Sequence, residues 1–450
     1  MSSTTGQVRS ASSVTPLAAT LLAMLPFLYL VWMCRRYYVD VPYGDQWELV
    51  PRLDKLQQGV LSFKDVWQQH SEHRPMFPLI IELTLASLTG WNIGAEIATN
   101  VLLAAVSFLV VARHITTQAA DDVRWWWLLP PAALLFFSPI QWENWTWGWQ
   151  IAIFLGSSSL LVGLFLLTRP EGGWWRLAGA VACGVVTTYS FAAGLIYWPI
   201  GAMAIALNAG QRSRGRLVCW LAAAAVTLAS YFYDYHPNPG HPPMLPNFTS
   251  LQAFATFVMY ILKYLGGSVA SYSEPASAAV GAIGLCWFLA LLVVLFPSRH
   301  DGWFMFPAVV GVATITAAIL TASGRAGFGS SQGMASRYTT LSLPLWVSIL
   351  LLTGGLLARR RMASGSGAMV ALVAVGLVCG SAAVTCRTGA DFALVRFQLL
   401  RGTMLPLYDG QDDGVLRRLY SNVETLKARR LVLQRLHMSV FRKDARRSGP

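Results

Sequence analysis

Charge is what this chain has least of. Asp, Glu, Lys and Arg make up 12% of its 450 residues, about half the ~25% of a soluble domain. The deficit is concentrated in uncharged apolar runs of roughly 20 residues, the length a helix needs to cross hydrocarbon. Backbone groups must bond internally in lipid, so these runs must be helical. A soluble globular enzyme is excluded. Acidic charge is scarcer than basic, leaving a net charge of +13 and a pI near 9.7. The basic residues sit in short clusters between apolar runs, as in loops that face anionic lipid, which argues against nucleic-acid binding. The six cysteines (Cys34, Cys183, Cys219, Cys286, Cys379, Cys386) lie in or beside apolar runs and form no CxxC pair. A disulfide framework and a structural zinc site are therefore not expected, and the thiols read as small buried hydrophobes. No small-x-small cleavage site separates the first apolar run from Arg35, so that run is an uncleaved span. No internal repeat is evident, which weakens an inverted-repeat transporter.

What is present is hydrophobic length. Apolar runs, uncharged apart from Glu96, occur at 14–34, 93–112, 125–140, 148–168, 177–192, 194–208, 217–233, 278–296, 303–322, 341–358 and 367–386, predicting an all-α polytopic membrane protein of eleven spans. Two further stretches, 75–90 with Glu82 at its centre and 251–270 with Lys263, read as helices on or dipping into the membrane surface and would raise the count to thirteen as spans. With the N-terminus cytoplasmic, the short inner loops carry Arg113, Arg124, Arg169, Arg176, Arg212, Arg214, Arg216, Arg299 and Arg359–Arg361, as the positive-inside rule asks. Arg35, Arg36 and the basic C-terminal tail fall outside and resist it. The expected organisation is a membrane module over 1–386, with outer loops at 35–92, 234–277 and 321–340, and a small helical periplasmic tail over 387–450. In the first loop Leu49, Leu53, Leu56 and Val60 recur at helical spacing. Ser62 and Asp65 offer a capping box for a second short helix, with Phe63, Val66 and Trp67 toward the bilayer.

Four polar groups on the outer side could carry chemistry. Asp45, in Tyr43-Gly-Asp-Gln-Trp47, is either a general base or metal ligand or a helix N-cap. The cluster His70-Ser-Glu72-His73-Arg74 offers donors for a phosphate or sugar, or is a solvated loop. Its spacing is not the HExxH of a zinc helix. In Gln141-Trp-Glu143-Asn144-Trp-Thr-Trp-Gly-Trp149-Gln150 the tryptophans suit an interfacial belt. Glu143, Asn144 and Gln150 suit hydrogen bonds to a sugar with Trp stacked on its apolar face. Gly324-Arg325-Ala-Gly-Phe-Gly329, leading to Ser336-Arg337-Tyr338, lets backbone N–H groups and two guanidiniums approach an anion, or is a flexible connector with snorkelling arginines. Glu82 and Glu274 are lone carboxylates near the same face. His236 and His241 in the Pro-rich loop read as structural.

Taken in order, these features resemble the GT-C superfamily of membrane glycosyltransferases, which includes protein O-mannosyltransferases and aminoarabinose transferases. The resemblance covers about residues 14–340 in layout and, in residue identity, the motifs Gly44-Asp45-Gln46-Trp47, His70-Ser-Glu72-His73-Arg74 and Gln141-Trp-Glu143-Asn144. It implies a sugar donor carried on a polyprenyl phosphate or pyrophosphate, a glycan or lipid acceptor, and transfer at the periplasmic face of a bacterial inner membrane. It implies that Asp45 deprotonates the acceptor, that Arg325 and Arg337, with Arg74 as a third, neutralise the leaving phosphate, and that Glu72, His73, Glu143, Asn144, Gln150 and Tyr338 hold the substrates. Family members often pair two acids behind the first span. Here the neighbour is Gln46, which puts a divalent cation (Mg or Mn) at Asp45 in doubt. Two other readings stay open: an O-antigen-type polymerase or ligase, and a transporter or flippase, for which Glu82, Glu96 and Lys263 would be the intramembrane ionisable residues.

Overall fold

The computed structural model describes residues 8–442 apart from 121, 170, 209–212, 241–247 and 360–364. His241, Arg212, Arg360 and Arg361 lie outside the described residues. Among the described residues nine long helices build the body: α1 (Val8–Arg36), α2 (Ile93–Gln118), α3 (Ile151–Thr168), α4 (Arg214–Phe232), α5 (Leu251–Ala270), α6 (Glu274–Leu295), α7 (Met305–Arg325), α8 (Ser336–Arg359) and α9 (Gly365–Gly402). No strand occurs among the described residues. Side-chain caps fix several starts. Asn92 accepts from the Gly94 N–H, Ser213 from Arg216, Ser250 from Ala253 and Ser273 from Ala276, each satisfying a donor the helix cannot.

The long helices wear their apolar side chains outside. Leu17, Leu102, Leu109, Val218, Val226 and Val293 are all exposed, the reverse of what water tolerates over a contiguous surface. This is a multi-pass membrane protein. At the centre stands α8, 72% buried over its most apolar window, whereas α4 at the periphery is 22% buried.

Eight helices among the described residues are long and apolar enough to cross a membrane, against the eleven runs counted in the sequence. The run at 367–386 lies within α9, which is not among the eight, and three other runs form shorter pieces. The run at 125–140 becomes a 3-10 turn, Val123–Leu128, followed by Leu129–Phe136, because Pro130 and Pro131 permit a helix only from its first turn. The runs at 177–192 and 194–208 become Trp174–Thr188 and Ala192–Leu207, both below the ~20 residues of a full crossing. Conversely, α5 has the length and composition of a span. Its Lys263 bonds to Glu274 (2.6 Å) and Ser330 (2.8 Å). It meets α6 at two glycines: a Cβ on Gly266 would lie 1.9 Å from the Ser277 carbonyl oxygen, and one on Gly281 1.9 Å from that of Leu262.

The boundary at 386 does not survive. α9 continues unbroken to Gly402. Gly389, which invites a break, is where the helix presses on the Pro139 backbone, with room for no Cβ. The segment beyond folds over the first loop. The Gly44 N–H donates to the Leu419 carbonyl (2.8 Å), Arg429 grips the Glu48 carboxylate at 2.8 and 3.0 Å, and Arg442 pairs with Asp40. The tail and the first loop therefore occupy the same end of the bundle.

Within the first loop the capping box is present. Asp65 Oδ2 accepts from the Ser62 hydroxyl (2.7 Å) and N–H (2.9 Å), and starts the helix Phe63–Trp67. The preceding helix, Val50–Gln57, stops short of the expected stripe. Leu49 and Leu53 are buried, but Val60 lies past the Gly59 turn and is exposed.

Candidate active site

Where the start of α3, the turn 190–195, the ends of α4 and α7 and the start of α8 converge, they surround a cavity of about 1100 Å³. The first loop supplies the remaining wall. Asp45, Glu72, His73, Gln150, Arg325, Arg337 and Tyr338, all singled out in the sequence, line it together.

Asp45 lies inside the 3-10 segment Gly44–Leu49, which starts after Tyr43. It is thus not the N-cap residue, and its side chain is half exposed to the cavity, with Oδ2 3.8 Å from His70 Nε2. The segment around it is held from three sides. Gln46 donates to Glu96 on α2 (2.6 Å), the Trp147 indole donates to the Tyr43 carbonyl (2.9 Å), and the tail takes the Gly44 N–H. Gly44 sits at φ +55°, and an added Cβ would stand 3.0 Å from the Trp147 ring, so glycine is required twice over.

Glu72 is presented by a tight turn in which His70 and His73 exchange N–H···O bonds of 2.8 and 2.9 Å, with Ser71 in the left-handed region at φ 53°. Its carboxylate forms an ion pair with Arg325 and accepts from the Ser71 hydroxyl (2.5 Å). Burial raises the Glu72 carboxyl, but His73, Ser71 and Arg325 outweigh it and hold the group at about 2. His73 stacks on Phe191 (4.3 Å between centroids). Its Nδ1 accepts the Ala192 N–H (3.0 Å), which leaves Nε2, 3.5 Å from Glu72, as the nitrogen that can carry the proton.

Arg337, in the first turn of α8, lines the same cavity as Asp45 and touches Glu143 through its backbone N–H (3.2 Å) and guanidinium (3.5 Å). Glu143 therefore stands behind Arg337 and off the cavity wall. Asn144 is fully buried and holds α8 through the Arg337 carbonyl (3.1 Å) and the Thr340 hydroxyl (2.7 Å). Arg74 is also spent on the fold. It is buried and donates to the carbonyls of Tyr231 (2.7 Å), Trp67 (3.3 Å) and Tyr233. These three expected contacts with substrate are framework contacts here.

Some cavity residues went unremarked in the sequence. His70 and Trp149, in edge-to-face contact at 5.2 Å, lay within motifs noted for other members. Tyr231, Tyr235 and Asn238 come from the end of α4 and the Pro-rich loop. Their only signal is a run of aromatics closing a span. His236 is exposed, with its backbone N–H donating to Gln69 (3.1 Å). Glu82 is buried below the loop, and Glu274 bonds to Lys263 away from the cavity.

Among the described residues no three His, Cys, Asp or Glu side chains converge as a metal site. Asp45 and His70 offer one carboxylate and one imidazole, too few for a dedicated Mg or Mn cage, though one carboxylate beside a substrate phosphate is a known mode for Mg.

No family model matches the chain, and no curated protein matches it. Among solved structures it is similar to ArnT from Cupriavidus metallidurans bound to undecaprenyl phosphate, with 12% sequence identity over 95% of this chain and 77% of that one, at a TM-score of 0.44.

Proposed function

We propose that this protein is a membrane glycosyltransferase that moves a sugar from a polyprenyl-phosphate or pyrophosphate carrier to a glycan or lipid acceptor. The observation that carries the reading is the shared cavity, with the Asp45 carboxylate and the Arg325 and Arg337 guanidiniums at the end of an apolar bundle. A lipid carrier can keep its chain in the bilayer and present its phosphate there.

In the proposed step the acceptor hydroxyl gives its proton to Asp45 while its oxygen bonds to the anomeric carbon. The bond from that carbon to the phosphate oxygen breaks, and the electron pair stays on the phosphate. Arg325 and Arg337 offset the charge that builds there, the kind of fixed electrostatic stabilisation worth most in a water-poor site. Attack from the face opposite the leaving group inverts the anomeric centre. Asp45 has His70 as its neighbour, and the other carboxylate of the wall, Glu72, is tied to Arg325. Glu72, held ionised and tied to Arg325, orients that arginine. Gln150 and Tyr338 offer hydrogen bonds to the sugar, and Trp149 a face for it to stack on. No step requires a metal. The bacterial inner membrane, with this cavity toward the periplasm, is the setting that fits such a carrier.

A polymerase or ligase would use the same chemistry, and it is distinguished by product: deletion would change glycan length where a simple transferase would remove one decoration. A transporter fits less well. Glu96 is bonded to Trp91 (2.7 Å) and Gln46, and Lys263 to Glu274 and Ser330, so neither is available to line a path.

The test is turnover of purified protein in detergent with a panel of polyprenyl-phosphate sugars. Asp45→Asn and Arg337→Ala should bind the lipid yet lose transfer by about 100-fold or more, the usual scale for losing a general base or a charge-stabilising donor. Undiminished turnover in both variants rejects the assignment.

A further inference from the structure

His70 stands on the walls of two cavities. It lines the large one beside Asp45, and it lines a smaller one of about 260 Å³ with Glu48, Arg52, Lys55, Asp65 and Gln68. Asp45 and Glu48, three apart on the 3-10 segment Gly44–Leu49, belong to the large and the small cavity respectively. The imidazole therefore has a carboxylate in each.

The small cavity is polar and its charges are matched. Lys55 bonds to Asp65 at 2.5 Å, and Arg429 grips Glu48 from the tail side. Arg52 donates to the carbonyls of Asp65 and Glu48, both at 2.7 Å, and the carboxylates of Glu48, Glu82 and Asp65 all act on it. Such walls call for no ion. They suit water, and the volume holds several molecules at about 30 Å³ each. The Lys55 side chain is 48% exposed, so the cavity communicates with bulk solvent.

The backbone of His70 is pinned and its ring nitrogens are not. Its N–H and carbonyl are both taken by His73, and the ring meets Trp149 edge-to-face. Among the described residues neither ring nitrogen makes a hydrogen bond, and Nε2 faces the Asp45 carboxylate at 3.8 Å. A proton can cross that gap on a small rotation of Asp45 or through one water. His73 is used differently, with Nδ1 committed to the Ala192 N–H.

We propose that His70 is a proton relay, taking from Asp45 the proton of the acceptor hydroxyl and releasing it to water in the small cavity. The relay rests on the glycosyltransferase reading. Each transfer leaves Asp45 a neutral carboxyl, which must ionise again before the next acceptor binds. Its proton moves to Nε2 of the neutral ring, restoring the carboxylate and forming an imidazolium between Asp45 and Glu48. Nδ1 then gives its proton to a cavity water, and exchange with that water returns the ring to its first tautomer. One proton leaves the acceptor and one reaches solvent. Imidazole suits the task because it changes charge near neutral pH.

The experiment has two arms, both on the full-length protein in detergent. Diethyl pyrocarbonate reacts with the unprotonated ring, and labelling at His70 is followed by peptide mass at pH 6. An ionised carboxylate at this distance favours the imidazolium, so Asp45→Asn should speed labelling at His70 about threefold. Labelling of the exposed His236 should not change. In the second arm, His70→Ala should lower kcat about tenfold with polyprenyl-phosphate sugars and leave KM little changed. Imidazole should restore most of that loss, and pyrazole, equal in size but scarcely basic, should not. His70→Gln, which fills the space without a basic nitrogen, should share the loss. Equal labelling of His70 in the parent and Asp45→Asn overturns the coupling. Parental kcat in either His70 variant, no rescue by imidazole, or equal rescue by pyrazole overturns the relay. A parent that transfers no sugar rejects the glycosyltransferase reading instead, while the labelling arm reports on the Asp45–His70 pair without needing turnover.

Discussion

At the scale of single residues, the ion pair between Glu72 and Arg325 links positions 253 apart in sequence and sets the electrostatics of the large cavity. Glu72 is held at about 2, against an ordinary value of 4.5. A depressed carboxyl stabilises the fold fully above its ordinary range, and that contribution is lost as pH falls through the depressed value. Across about pH 5 to 8 the contribution should therefore be constant. Glu72→Gln should lower stability by about 2 kcal/mol, as expected for stranding a charge-assisted partner. The melting-temperature gap between the variant and the parent should stay level over that pH range. The gap should narrow only as pH falls from about 5 toward the depressed value, and a gap that stays equally wide down to about pH 3 would mean that Glu72 is not held below its ordinary value and that Arg325 is not its partner.

At the scale of elements, the contact between α5 and α6 is made by backbone on backbone. In lipid, where apolar side chains gain little from leaving the solvent, such close approach through small residues supplies much of the helix association. Gly281→Ala would put a methyl into the Leu262 carbonyl and push the helices apart, at about 2 kcal/mol or more. Gly376→Ala on α9, where an added Cβ meets nothing within 4 Å, should be neutral or mildly stabilising. Thermal unfolding in detergent compares the two, and equal melting temperatures would refute the contact. The elements also show what could be read from the chain. The long spans were legible because lipid imposes one rule, an uninterrupted apolar helix. The short ones were not. Whether sixteen apolar residues such as Ala192–Leu207 cross the bilayer or end within a bundle depends on their neighbours, which composition does not name. Asp45, Glu72, Arg325 and Arg337 were legible because charge beside an apolar run is rare here. Arg74 and Asn144 carried the same signal, yet their donors go to backbone carbonyls and α8 contacts that only the folded chain creates. Arg52 and Glu48 went unremarked in the sequence. Their meaning comes from Asp65 and Arg429, which folding brings beside them.

At the scale of the molecule, the tail is the part whose place the sequence concealed most, because a basic helical segment after the last span reads as an appendage. It is instead a clamp on the loop that carries Asp45. Arg396 on α9 lies 3.7 Å over the Tyr43 ring, Leu419 takes the Gly44 N–H, and Arg429 and Arg442 hold Glu48 and Asp40. Burial raises the Glu48 carboxyl, but Arg429 and Tyr420 outweigh it and keep it ionised. Exposed ion pairs contribute little, whereas these are bidentate or partly buried, and two of them together set how often the loop lifts. Arg429→Gln combined with Arg442→Gln removes both without touching the cavity. The loop should then open more often, and tryptic cleavage after the exposed Lys64 should quicken by about tenfold, since cleavage follows the open population when closing is fast. The bundle should keep its helical content by circular dichroism, and transfer should fall with the loop's residence over the cavity. Raising the salt concentration should move the parent protein part of the way to the same state, because screening weakens the same pairs. Cleavage at the parental rate in the double variant would leave the tail packed on the loop for reasons other than these charges, and the positioning of Asp45 would then have to be credited to Glu96 and Trp147 alone.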